Sequence, residues 1–170
     1  MKLFARTLTL SALALASSLA FAADSALSKT DQAFVTKASG SGMYEVEVSK
    51  LAIDKASDPA IKEFAQMMVT DHTKANDELK QLATSKNGEL APGVPKAKQA
   101  VIDKLSKLDG AKFDKAYREQ VGLKDHKTDI ALFEKESKDG KDADLKAWAG
   151  KTLPTLRTHL QHAQEMKPKS

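Results

Sequence analysis

The chain contains no cysteine. Disulfides, thiol nucleophiles and cysteine metal ligands are therefore excluded, and the fold must be held by its core or by a ligand. Aromatic residues make up only 5% of the 170 positions, and no basic stripe is interleaved with them, which argues against nucleic-acid binding. The β-branched alternation of strands is nearly missing. Glycine and proline are few and cluster at "SDP" (57–59), "SKNGELAPGVP" (85–95), "LDG" (108–110) and "KDGKD" (138–142). No serine stands in a nucleophile-elbow context and no phosphate loop occurs. No Glu has a His three residues later, so the Glu-x-x-His pair of di-iron bundles is missing. The expectation for catalysis leans to none, with any reactivity coming from a metal ion.

One apolar run is present, at the start. "MKLFAR" carries Lys2 and Arg6, "TLTLSALALASSLAF" follows, and Ala20-Phe21-Ala22 forms a small-x-small site. These are the three regions of a secretory leader. The run is short against the ~20 residues of a membrane span. The sequence therefore predicts a cleaved signal peptide over 1–22 and a single domain over 23–170. That domain is expected to be exported, periplasmic and soluble, with no further membrane-spanning stretch. Lys2 and Arg6 leave with the leader, so the formal charge of +4 falls by two. The remaining acids and bases are interspersed, which describes a solvated surface. Neither a partner nor an oligomer is indicated.

Between the glycine and proline stops the composition is helical. Helix 1 is expected over about 30–56, with Ser28 and Asp31 as a capping box and two glycines inside "ASGSGM" (38–43). Helix 2 starts at the capping pair Asp58-Pro59 and runs to about 86. A short helix over 95–108, helix 3 over 111–138 and helix 4 over 142–166 complete the set, with Pro154 expected to bend the last. Tight turns join helices 1 and 2, and again 3 and 4, while 87–110 is too long for a bundle turn. This predicts an all-α four-helix bundle, ferritin-like, with a crossover containing a short helix between helices 2 and 3. "DPAIKEFA" (58–65) and "DADLKAWA" (142–149) share one pattern, as a duplicated helical hairpin would.

Each long helix carries a polar residue on its apolar stripe. Phe64, Met68, Ala75, Leu79 and Leu82 share a stripe with His72; Phe34, Ala38, Val48 and Ala52 share one with Glu45. His126 and His159 sit likewise on helices 3 and 4. Glu45 and His72 lie equally far from the first turn, and His126 and His159 from the second, so all four fall near mid-bundle. Two readings stay open. In one, the four are buried polar groups that bond one another and fix register, with Glu45 facing His72. In the other, Glu45, His72, His126 and His159 hold a transition metal such as zinc, copper or iron. Asp71, Asp125 and Asp129 would then be acceptors for the imidazole N–H groups. His162 and Met166 form a weaker pair near the chain end.

"FAQMMVTDH" (64–72), "DHKTDIALFE" (125–134) and "LPTLRTHL" (153–160) resemble the bacterial family called domain of unknown function 4142, with similarity from about 31 to 164. The resemblance implies an exported, ferritin-like protein and carries no activity. It implies recurring positions at Glu45, Asp71, His72, His126, Glu134, Pro154 and His159. The functional alternatives are a metal-binding or metal-responsive envelope protein and a structural or interaction module.

Overall fold

Capping side chains set the helix boundaries. In the computed structural model, which describes residues 26–167, α1 (Lys29–Lys55) starts after Ser28, whose Oγ accepts from the Asp31 N–H at 3.1 Å. Helix α2 (Pro59–Ser85) starts after Asp58, which accepts from Ala60 N–H, with proline where no donor is needed. Helix α6 (Ala143–Glu165) starts after Asp142, which accepts from Asp144 and Leu145 N–H and continues unbroken through Pro154. Between them come the short α3 (Lys96–Leu105) and one long rod made of α4 (Gly110–Tyr117), a π-helical segment (Arg118–Asp125) and α5 (His126–Asp139). The expected leader and its cleavage point after Ala22 lie outside the described residues.

Contacts at the two ends fix the path. At one end Asp114, in the first turn or so of the rod, accepts from the N–H groups of Ser57 and Asp58 at 3.0 Å each. At the other, Asp31 near the start of α1 accepts from Lys141 and Asp142 N–H at 2.9 and 3.0 Å. There too Lys86, at the end of α2, pairs with Asp142 and Asp144. The rod and α2 thus begin at the same end and run the same way. The connection returns along α1: Gln32 bonds Glu89, Ser39 bonds Ala91, and Lys55 reaches Leu108 O at 3.1 Å. Asp31 therefore does not close a capping box on Ser28, as the sequence suggested. Its carboxylate caps the opposite hairpin, and Asp114 does the same in return. "DQAF" (31–34) and "DKAY" (114–117) form a second echo between the halves, and it carries the same role.

The apolar core is in two parts. One holds Tyr44, Ile61, Phe64, Met68, Phe113 and Tyr117; the other holds Phe34, Leu79, Phe133, Leu145, Trp148 and Leu156. Each such side chain contributes about 1.5–3 kcal/mol on burial. His72, His126 and His159 fall in sequence between residues of the two clusters on their respective helices, so a polar layer separates two greasy ones.

The rod departs from the expected stripe of Phe113, Ala116, Leu123, Ile130 and Phe133. Residues 116, 123 and 130 are half-buried, and Phe113, Tyr117, Val121, Asp125, Asp129 and Phe133 are buried instead. Steps of four overshoot a 3.6-residue turn by roughly 40° each. The wider π winding takes back part of that drift and keeps one face inward. Gly122 lies in this segment, where an added Cβ would stand 2.7 Å from the Ala163 Cβ of α6. Gly122→Leu is expected to destabilise by about 1–3 kcal/mol through overpacking, and urea melts check this; an unchanged midpoint would refute the close contact. The glycines of α1 do not break it: Gly42 faces Asn76 of α2, and Gly40 lies under Pro95.

Candidate metal centre

Three helices meet at three imidazoles. His72 of α2, His126 at the junction of the π segment and α5, and His159 of α6 are buried, and one ring nitrogen from each lies within 4.8 Å of the others. Helical spacing explains the first and last. His72 continues the line of Phe64 and Met68, and His159 that of Leu156 and Ala163. His126 reaches the same layer through the π winding, and its Nδ1 lies 2.9 Å from the Val121 carbonyl, five residues back.

The partners fix the tautomers. A carbonyl only accepts, so His126 Nδ1 carries the proton and its Nε2 has a lone pair. His159 Nε2 lies 2.9 Å from Asp71 Oδ2 and donates to it. In a neutral ring His159 Nδ1 then also has a lone pair. These two bare nitrogens face each other at 3.2 Å. The contact is repulsive unless a cation lies between or beside them. A proton would serve, but burial lowers the proton affinity of all three rings, taking His126 to about 4 and His72 well below the usual imidazole range. Asp71 opposes this at His159. His72 Nε2 is buried and has no hydrogen-bond partner. Three buried ring nitrogens are thus gathered within 4.8 Å of one another, and two of them face each other with their protons held on the far side of each ring.

Glu45 stands apart from this group. It is fully buried, yet neither carboxylate oxygen has a partner, so it does not bond His72 across the hairpin as expected. Burial, with Asp129 and Asp125 nearby, holds its proton well above the carboxylate range, and Lys98 pulls the other way. Asp125 and Asp129 also differ from expectation, because neither bonds an imidazole. Asp125 accepts from the Tyr44 hydroxyl at 2.9 Å, from Gln120, and from Lys98 at 2.8 Å. Asp129 accepts from Ser41 Oγ at 3.0 and 2.9 Å, and burial raises it to about 6. Only Asp71 takes the role foreseen for all three. The Val121 carbonyl was missed, since no residue type signals a π turn. His162 is exposed and lines a surface groove with Met67 and Met166. Glu134 pairs with Arg157 on the surface.

Beside the imidazoles is a cavity of about 30 Å³, lined among others by His72, His159, Asp129, Phe133, Trp148 and Thr155.

The family model described as Domain of unknown function (DUF4142) matches residues 16–166. Two solved structures share the fold. A DUF305 fragment from Deinococcus radiodurans superposes with a TM-score of 0.72 at 9% identity, covering 82% of this chain and 95% of that one. A DUF305 protein from Streptomyces coelicolor gives 0.67 at 16% identity, covering 84% and 91%. No curated protein matches the chain. Among the described residues no helix is long and apolar enough to cross a membrane.

Proposed function

The chain belongs to the DUF4142 family, a membership that assigns no activity, and for it we propose transition-metal binding through His72, His126 and His159 in an exported, ferritin-like bundle. The observation that carries this reading is the approach of His126 Nε2 and His159 Nδ1 to 3.2 Å while Val121 O and Asp71 hold the other nitrogen of each ring. Two nitrogens bound to one tetrahedral zinc, at 2.0–2.1 Å each, stand roughly 3.3 Å apart. The outward nitrogens are held by Asp71 and the Val121 carbonyl, the arrangement that orients metal-binding imidazoles and raises their basicity. His72 supplies a third, unpartnered nitrogen. Imidazole donors suit zinc, copper or iron. Glu45 lies outside the converging set and is not assigned as a ligand. Export rests on the leader pattern in residues 1–22. The packing reading is weakened because Glu45 and His72 leave each other unsatisfied.

Tagless protein is expected to bind one ion of zinc, copper or iron per chain. His72→Ala should weaken that binding more than roughly tenfold, the upper range seen even for outer partners being ten to a hundredfold. Equilibrium dialysis with elemental analysis decides it: no bound ion, or a His72→Ala variant that binds like wild type, refutes the assignment.

A further inference from the structure

Three imidazoles are one ligand short of four-coordination. In metal proteins that count separates sites with an open position from closed structural ones. The inference here rests on the metal-binding reading and concerns what completes the shell.

Among the described residues, the ligand atoms that converge are those of the three histidines alone. The nearest carboxylates are otherwise engaged or displaced. Asp129 accepts the one proton of the Ser41 hydroxyl, Asp71 accepts from His159, and none of Asp129, Asp71 and Glu45 is within the group. What borders the histidines is space. The cavity of about 30 Å³ touches His72 and His159 and has room for a water or two. Its wall mixes polar atoms of Asp129 and Asn76 with the faces of Phe133, Trp148 and Leu156.

The cavity has a surface groove as its neighbour. A groove of about 110 Å³ runs between α2 and α6 on the surface, and its lining shares Asp71, Ala75, Thr152 and Thr155 with the cavity. All four residues are half-buried. On the entry route inferred for the site, they form the throat between the groove and the imidazole layer. At its rim Lys74 is exposed, and Lys151 pairs with Glu78 at 3.2 Å.

We infer that an ion at His72, His126 and His159 keeps an exchangeable fourth position, occupied by water and open to a small monodentate anion that enters between α2 and α6. The ion is then a centre that meets small molecules, and not a rivet closing the bundle.

Cobalt(II) tests this, because its visible bands report coordination. Tagless protein loaded with cobalt is titrated with azide. Wild type is expected to give a saturable one-to-one change in the bands. Ala75→Leu and Thr155→Leu narrow the throat, and each should slow the azide response at least tenfold with cobalt stoichiometry unchanged. Bound cobalt with bands indifferent to azide overturns the inference and leaves the metal reading standing, since a protein group then holds the fourth position. Wild-type azide rates in both narrowed variants overturn the proposed route. Protein that takes up no cobalt overturns the inference, and protein that takes up no zinc, copper or iron either overturns the reading beneath it.

Discussion

Protein given its ion at a hundredfold excess over Kd is expected to melt as though stabilised by about 2.7 kcal/mol, provided the ion binds the folded state alone. A chelator should remove the gain, and His72→Ala should lack most of it while still folding. The pH dependence follows from competition between proton and ion for the same lone pairs. Burial places the folded values of all three rings below the ~6.5 of a free imidazole, His126 at about 4. Without an ion, each ring contributes stability that is full above pH ~6.5 and is lost as pH falls toward its folded value. Asp129 at about 6 and Glu136 at about 7 are raised by burial and run the other way: their contribution is present at low pH and lost as pH rises through those values. The difference between melts with metal and with chelator removes most of this common background. Because burial lowers the proton affinity of all three rings, that difference should persist to lower pH than for free imidazoles and vanish toward the value of about 4 at His126. A metal-dependent shift already lost at the ~6.5 of a free imidazole would contradict the burial effect on the rings, and no shift for zinc, copper or iron at pH 7 would end the metal reading.

The second large effect lies far from the histidines. Asp114→Ala and Asp31→Ala are each expected to destabilise by about 3 kcal/mol. Each carboxylate is almost fully buried and accepts from two backbone N–H groups in the opposite hairpin's turn. Hydrogen bonds to a charged acceptor contribute about 1.5–3 kcal/mol apiece, and the stranded donors would have no substitute. Asparagine at either position keeps one acceptor oxygen and should recover part of the loss. The two sites lie at opposite ends, so the double variant should be additive within roughly 0.5 kcal/mol. Guanidinium melts measure this, and losses under 0.5 kcal/mol in either single variant would show the cross-capping to be unimportant.

The boundaries of α1, α2 and α6 were readable because a capping side chain marks each start and short polar turns mark the stops. The return path between α2 and the long rod was readable from connection length. Counting residues from each turn puts Glu45, His72, His126 and His159 at one height, and of these the three imidazoles lie together. That count gives height along the axis but not direction around it. For this reason Glu45 was matched with His72, although it faces Asp125 and Asp129, and those two were offered to the imidazoles they do not touch. The π segment had no signature, because it changes winding and not composition. Its effect shows only as buried positions four apart, which read as an imperfect 3.6-residue stripe.

Short α3 does more than lead the chain back along α1. Its Lys98 binds Asp125, lies 4.5 Å over the Tyr44 ring, and opposes the raised proton affinity of both Glu45 and Asp129. One ammonium thus pairs with Asp125 and lowers the proton affinity of Glu45 on α1 and Asp129 on the long rod. The seating of α3 and the ionisation of Glu45 and Asp129 are therefore linked. Lifting Lys98 away would raise the proton affinity of Glu45 and Asp129 further. A segment that looks like a connector is the electrical half of the protein's interior, delivered from outside the bundle by one side chain.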